Sequence, residues 1–280
     1  MNKIFDLHND FITSINNNRK IQQYLKNKKT SFANEIISTV WTSEMKPEKA
    51  IQCIETTYMF INKYKKNKNV FVPNLRLGIE DLNFLSKNYL NQIINLKPTY
   101  CSLTWNYDNN LAGGAHEGGD LTNFGKDVIR SLEDNNIFVD TAHLSERSFM
   151  SFSKLTEKPI LCSHTAVNQL VPVSRNLKDY QIRMIVESDG LIGVALVPQF
   201  LSNDKKCTVN DVCRHIDYIV SRFGDKNICL GTDFYGTKKL PKGIKTYKHL
   251  QIVEDRLKIL GYTNETINNI FYQNAKRFFN

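Results

Sequence analysis

The runs IFVDTAH (residues 137–143) and PILCSH (159–164) decide the fold. Each is short, apolar and partly β-branched, the pattern of a strand, and each ends in a histidine. Neither alternates cleanly between apolar and polar, as expected of parallel strands covered on both faces. Ser145, just beyond the first run, is a candidate helix N-cap.

Working outward, six more such runs follow the same grammar: KIFDLH (3–8), ANEIISTVW (33–41), NLRLGIE (74–80), YCSLTW (100–105), LIGVALV (191–197) and NICLGTD (227–233). Helical spacing of apolar residues separates them at 47–66, 123–136, 177–188, 208–224 and 263–279. Pro47 suits a first helical turn, Gly224 a helix end, and Thr263 with Thr266 a cap. Strand and helix alternating eight times predict a (β/α)8 TIM-barrel in one domain spanning 1–280.

Composition sets the function classes. Apolar residues make up 41% of the 280 and aromatic residues 11%, enough for a large core. The first ten residues are broken by Asp6, His8, Asn9 and Asp10, unlike a signal peptide, and no run reaches the ~18–20 apolar residues of a membrane span. A cytoplasmic protein without membrane attachment is expected. The net charge of +9 is spread through Lys- and Asn-rich segments such as NKYKKNKN, without an Arg-rich helix or interleaved aromatic platform, so no nucleic-acid partner is expected. Six cysteines form no CxxC pair, and Cys101, Cys162 and Cys229 sit in apolar runs as small hydrophobes.

The informative polar residues fall at strand ends. His8 and Asp10 close the first run, Glu80 the third, His143 the fifth, His164 the sixth and Asp233 the eighth. In a barrel these tips converge on the C-terminal mouth, where active sites are built. Singly each has an ordinary explanation: Glu80 near a helix start, Asp233 opening a turn, one histidine satisfied in a loop. Jointly, imidazoles and carboxylates at five tips suit a divalent ion, Zn²⁺ above all. Their number exceeds what one tetrahedral ion needs and points to two ions sharing a carboxylate. His215 and His249 fall in helical patterns and are expected at the surface, and His116 in the loop AGGAHEGGD is a weaker candidate for the mouth.

The stretches DLHND, LGIED, LTWNYDN, LTNFGKDVIRSLEDNNIFVDTAHLS, PILCSHTAV, VSRN, LGTDFYG and NAKRFF, in this order, resemble the membrane dipeptidase (renal dipeptidase) family, peptidase family M19. The resemblance covers nearly the whole chain. It implies a dipeptidase on a (β/α)8 barrel with two Zn²⁺ per chain: His8 and Asp10 on one ion, His143 and His164 on the other, Glu80 bridging. It implies that Asp233 handles the proton of the attacking water and the leaving amine. Arg175 would grip the terminal carboxylate of a small peptide substrate. A planar fork on a free carboxylate would act as a ruler for short peptides, and a water held between two cations would ionise near neutral pH. Family members commonly form homodimers, which is implied here too.

Two positions depart from the family. Trp105 stands where characterised dipeptidases have a substrate-binding histidine, and Tyr235 replaces the acid of the usual DFDG. An indole donates one hydrogen bond but neither accepts one nor carries charge. Trp105, Asn106 and Tyr235 are therefore expected to shape the substrate site, and a different small or cyclic amide is the alternative substrate. A barrel that binds a peptide without cleaving it would be expected to lose its proton-transfer residue, whereas Asp233 is retained.

Overall fold

The computed structural model describes residues 2–12, 33–65 and 73–280. Eight parallel strands close a barrel in chain order. They are β1 (Phe5–Asn9), β2 (Glu35–Trp41), β3 (Asn74–Glu80), β4 (Tyr100–Ser102), β5 (Phe138–Asp140), β6 (Leu161–Thr165), β7 (Leu191–Val194) and β8 (Ile228–Leu230). This is the expected (β/α)8 architecture.

The strands occupy the expected runs, but β4, β5, β7 and β8 stop about three residues early. Beyond β3, β5 and β8 the backbone turns sharply over the rim. Asp81, His143, Asp233 and Tyr235 all have positive φ, at 70°, 70°, 56° and 73°. Left-handed backbone costs a non-glycine residue on the order of 1–2 kcal/mol, so the surrounding rim has to hold it. Four such residues gathered at the C-terminal end of the barrel mark it as the functional face.

Two strands carry a further irregularity. Between Asp6 and Asn9, β1 advances three residues while β2 advances two, and β6 does the same against β7 between Cys162 and Thr165. Each is a one-residue bulge, a device that re-aims side chains, and His8 and His164 lie inside them. The β6 bulge pushes the Ser163 carbonyl against its neighbours. A Cβ at Gly193 or Gly231 would lie within 1.9 Å of that oxygen, so both positions need glycine.

Helices α1 (Pro47–Lys65), α2 (Lys87–Leu96), α3 (Asn123–Asp134), α4 (Glu146–Leu155), α5 (Asp179–Glu187), α6 (Pro198–Leu201), α7 (Val209–Phe223) and α8 (Gln251–Ile259) occupy the crossovers. Residue 66 of the first expected helix lies outside the described residues. Ser145 caps α4 through Ser148 N (3.0 Å), and Gly224 ends α7 with φ 86°. The expected helix 263–279 is divided into α9 (Asn264–Asn268), a π turn (Asn269–Gln273) and α10 (Asn274–Phe278), capped by Thr263. It lies under the barrel, where Lys276 and Tyr272 reach Glu35 at 2.7 and 3.2 Å. Phe5, Leu7, Ile37, Tyr100, Leu161, Leu191 and Cys229 pack with Ala275 as an inner core, and a larger apolar layer joins strands to helices. All six cysteines are free.

His215 corrects the expectation of a surface residue: it is fully buried on α7. Its Nδ1 accepts from Val167 N (3.0 Å) and its Nε2 donates to Leu201 O (3.1 Å). Only neutral imidazole does both, and burial pushes its pKa down to about 4. The expected helix is present as α7, but its histidine faces the loops leading to the mouth rather than solvent. His249 is half-buried beside Thr246.

Candidate metal centre

At the mouth, His8, Asp10, Glu80, His143 and His164 are each at most 6% exposed and meet through their polar tips. His8 Nε2 lies 3.2 Å from Asp10 Oδ2 and 3.8 Å from Glu80 Oε1. On the other side, Glu80 Oε1 is 3.0 Å from His143 Nε2 and 3.6 Å from His164 Nε2. One oxygen of Glu80 therefore sits between the two histidine groups. Asp233 Oδ1 approaches His8 Nε2 at 3.9 Å. Ligand atoms of Glu80, His143 and His164 lie within 4.8 Å of one another, as do those of His8, Asp10 and Asp233.

The outer nitrogens of the imidazoles are already committed. His8 Nδ1 pairs with Tyr100 Oη (2.9 Å), whose own proton goes to Leu7 O (3.0 Å). His143 Nδ1 donates to Asn106 Oδ1 (2.9 Å), and His164 Nδ1 meets Ser163 Oγ (2.8 Å). With protons on Nδ1, all three Nε2 atoms present lone pairs inward, as metal-binding histidines do. His143 and His164 bring these lone pairs to 3.0 Å, too close for two acceptors without a positive charge between them. Buried Asp10 Oδ1 and Glu80 Oε1 likewise have no hydrogen-bond partner among the described residues. Orphaned acceptors packed in this way are expensive unless a cation satisfies them, so the residues fit a divalent metal centre.

The electrostatics agree. Burial opposes an imidazolium at His8, but Asp10, Glu80 and Asp233 outweigh it and lift its pKa to about 10. The protein's own charges thus call for a cation at that spot. Burial and the neighbouring Arg175 hold His143 and His164 well below the usual histidine range. Burial, then the Asp10 charge, lifts Asp233 to about 8.

Arg175, only 7% exposed, crosses the loop after β6 so that Nη2 donates to His164 Nε2 (3.0 Å) while its guanidinium lies over the Phe200 ring, 5.2 Å from the centroid. Its Nε has no partner among the described residues. Trp105 forms a wall, 6.0 Å from the His143 ring and edge-on to Trp41 at 5.6 Å. Tyr235 is exposed on the rim after Asp233. Asn106 accepts from His143 Nδ1 at 2.9 Å, which places it beside the candidate ligands. His116 is exposed against Tyr107 rather than among the candidate ligands. Residue reading missed Tyr100, Ser163 and Asp140. Asp140 was detectable, because a carboxylate inside the apolar run IFVDTAH needs a reason to be buried.

Fold and site together define a metal-dependent hydrolase barrel. The family model for membrane dipeptidase, peptidase family M19, matches residues 22–280, and the chain belongs to this family, one of metallo-dipeptidases. An uncharacterised protein of Klebsiella pneumoniae from the pqqA 5′ region is 28% identical over 185 residues, 62% of this chain and 68% of that protein. Dipeptidase AclJ of Aspergillus oryzae is 28% identical over 190 residues, 65% of this chain but only 45% of its own length. The crystal structure of a Rhodobacter sphaeroides metallo peptidase, liganded with a phosphinate mimic of L-Ala-D-Ala, superposes with a TM-score of 0.87 at 17% identity. The match covers 99% of this chain and 98% of that one. No helix among the described residues is long and apolar enough to cross a membrane.

Proposed function

We propose that the protein hydrolyses the amide bond of dipeptides with a free C-terminal carboxylate, using two divalent cations, Zn²⁺ by the chemistry of the donors. His8 and Asp10 would hold one, His143 and His164 the other, with Glu80 shared. When bound, such ions supply Lewis acidity toward a carbonyl and an activated water. The observation that carries the reading is the set of inward Nε2 lone pairs facing the unpartnered Glu80 Oε1.

The chain's own groups divide the remaining work. Arg175 presents a buried, planar guanidinium at the edge of the ligand cluster, suited to the carboxylate of the residue that directly follows the scissile bond. Asp233, beside His8 and Asp10, is placed to hold a proton and pass it to the departing amine. Trp41, Trp105 and Tyr107 line one side of the mouth with aromatic rings. The family comparison and the dipeptide mimic bound by the Rhodobacter sphaeroides relative support this reading. Metal-loaded protein incubated with a panel of L,L- and L,D-dipeptides is expected to release free amino acids, and a panel with no turnover in excess zinc overturns it.

A second reading keeps the chemistry and changes the substrate to another small or cyclic amide. It is motivated by the Trp105 ring in place of a charge-carrying imidazole. Trp105→His raising dipeptide turnover supports that reading, and indifference to the change counts against it.

A further inference from the structure

Asp140 lies at the end of β5, 1% exposed, with its carboxylate beside the candidate centre. Ligand atoms of Asp140, His8 and His164 fall within 4.8 Å of one another, which would make it a sixth candidate ligand. Its oxygens are, however, already occupied. Oδ1 accepts from two backbone amides, Ser163 N (2.8 Å) and Ala142 N (3.1 Å). Oδ2 accepts from Ser163 Oγ at 2.5 Å. A hydroxyl has a single proton, and Ser163 donates it to Asp140. Toward His164 Nδ1, 2.8 Å away, Ser163 Oγ acts only as an acceptor, so that nitrogen carries its hydrogen.

We propose that Asp140 is a positioning residue for the metal centre, acting through the Ser163 hydroxyl to keep the His164 proton on Nδ1 and Nε2 an acceptor, able to take a cation in place of the Arg175 donor. The other two imidazoles are oriented by neutral partners, Tyr100 and Asn106. His164 is the one whose orientation is backed by a carboxylate, and it is the one crowded by both His143 Nε2 and the Arg175 guanidinium. It therefore has the strongest alternative uses for its inner nitrogen. The proposal rests on His164 being a metal ligand.

The direction of the relay makes a specific prediction. In Asp140→Asn the two backbone amides keep the amide oxygen on their side, which turns the amide NH₂ toward Ser163. Ser163 then accepts from the amide and donates to His164 Nδ1. The imidazole proton is driven to Nε2, where it blocks the cation. Deleting the hydroxyl as well frees His164 to choose its tautomer.

Cobalt(II) binding to the full chain, followed by calorimetry and by the visible absorption of bound Co²⁺, tests this. Asp140→Asn is expected to weaken one of the bound ions roughly 10–100-fold, the usual cost of losing such an outer partner. Adding Ser163→Ala to Asp140→Asn is expected to restore affinity to within a few-fold of Ser163→Ala alone, a coupling that a merely structural role would not produce. Unchanged cobalt affinity in Asp140→Asn, or losses that add in the double variant, overturns the relay. If Asp140→Asn does not fold, Ser163→Ala decides alone: selective weakening of one ion supports the relay and parental affinity overturns it. Parental protein that binds no cobalt contradicts the metal reading itself, an outcome distinct from failure of the relay.

Discussion

At the scale of single residues, the centre depends on which atom of each side chain is already spoken for. His8, His143 and His164 all spend Nδ1 on a neighbour and aim Nε2 inward, while Asp10 and Glu80 keep buried oxygens without hydrogen-bond partners among the described residues. Asp233 differs, being more open, with its side chain 15% exposed, and 3.9 Å from His8. Asp233→Asn is therefore expected to cut kcat about 10²-fold or more, the scale of a lost proton-transfer group, while metal content measured by mass spectrometry stays at the parental level. Metal lost along with activity would make Asp233 a ligand instead. The candidate ligands were readable in the sequence because polar residues at the ends of apolar runs are conspicuous. Their supporting partners were not. Tyr100 and Ser163 look like ordinary strand residues until closure of the barrel lets the Tyr100 side chain on β4 reach His8 on β1 and sets the proton order of each bond. The burial of His215 is not legible in the sequence for a related reason: helical spacing alone does not say that a histidine will bridge two loops.

At the scale of elements, bulges do what regular strands cannot. Alternation in a uniform ladder fixes which side chains face inward, and one extra residue in β1 and in β6 resets that pattern at His8 and His164. The sequence located the strands to within a few residues, but no local signal distinguished a bulge from a longer strand. Gly193 and Gly231, far from Ser163 in the chain, are its visible trace. Gly231→Ala would place a Cβ 1.8 Å from the Ser163 carbonyl. Overpacking of backbone against backbone is expected to cost about 2–4 kcal/mol, read as a lower midpoint in urea, together with weaker metal binding at His164. A midpoint within error of the parent would show that the bulge is not held by this contact.

The floor of the barrel offers an independent check at this scale. Burial raises the Glu35 pKa, but Lys276 at 2.7 Å and Arg76 at 3.2 Å outweigh it and hold the carboxylate below its ordinary value. A depressed carboxylate stabilises the fold above its unfolded pKa of about 4.3, and that contribution disappears as pH falls through the lower folded value. Glu35→Gln is thus expected to cost about 1–3 kcal/mol near pH 7, with the gap to the parent closing below roughly pH 4. A gap independent of pH would show that shape rather than charge ties the terminal helices to the barrel.

At the scale of the molecule, eight strand ends are brought to one mouth by closure of the sheet, so residues separated by most of the chain, such as Asp10 and Asp233, share a site. This is why a one-dimensional list of polar tips predicted a three-dimensional centre: closure is the common cause. Closure does not dictate the substrate; the proposal assigns that to the side chains around the mouth, Trp105 packed against Trp41 and Tyr235 exposed on the rim. Whether the centre holds two ions is decided by metal stoichiometry after zinc loading and removal of free ion, in the parent and in Glu80→Gln. About two zinc ions per chain, falling to one or fewer when the shared Glu80 oxygen is replaced, is the predicted result. Parental protein retaining no zinc, or Glu80→Gln retaining both ions at parental affinity, would contradict it.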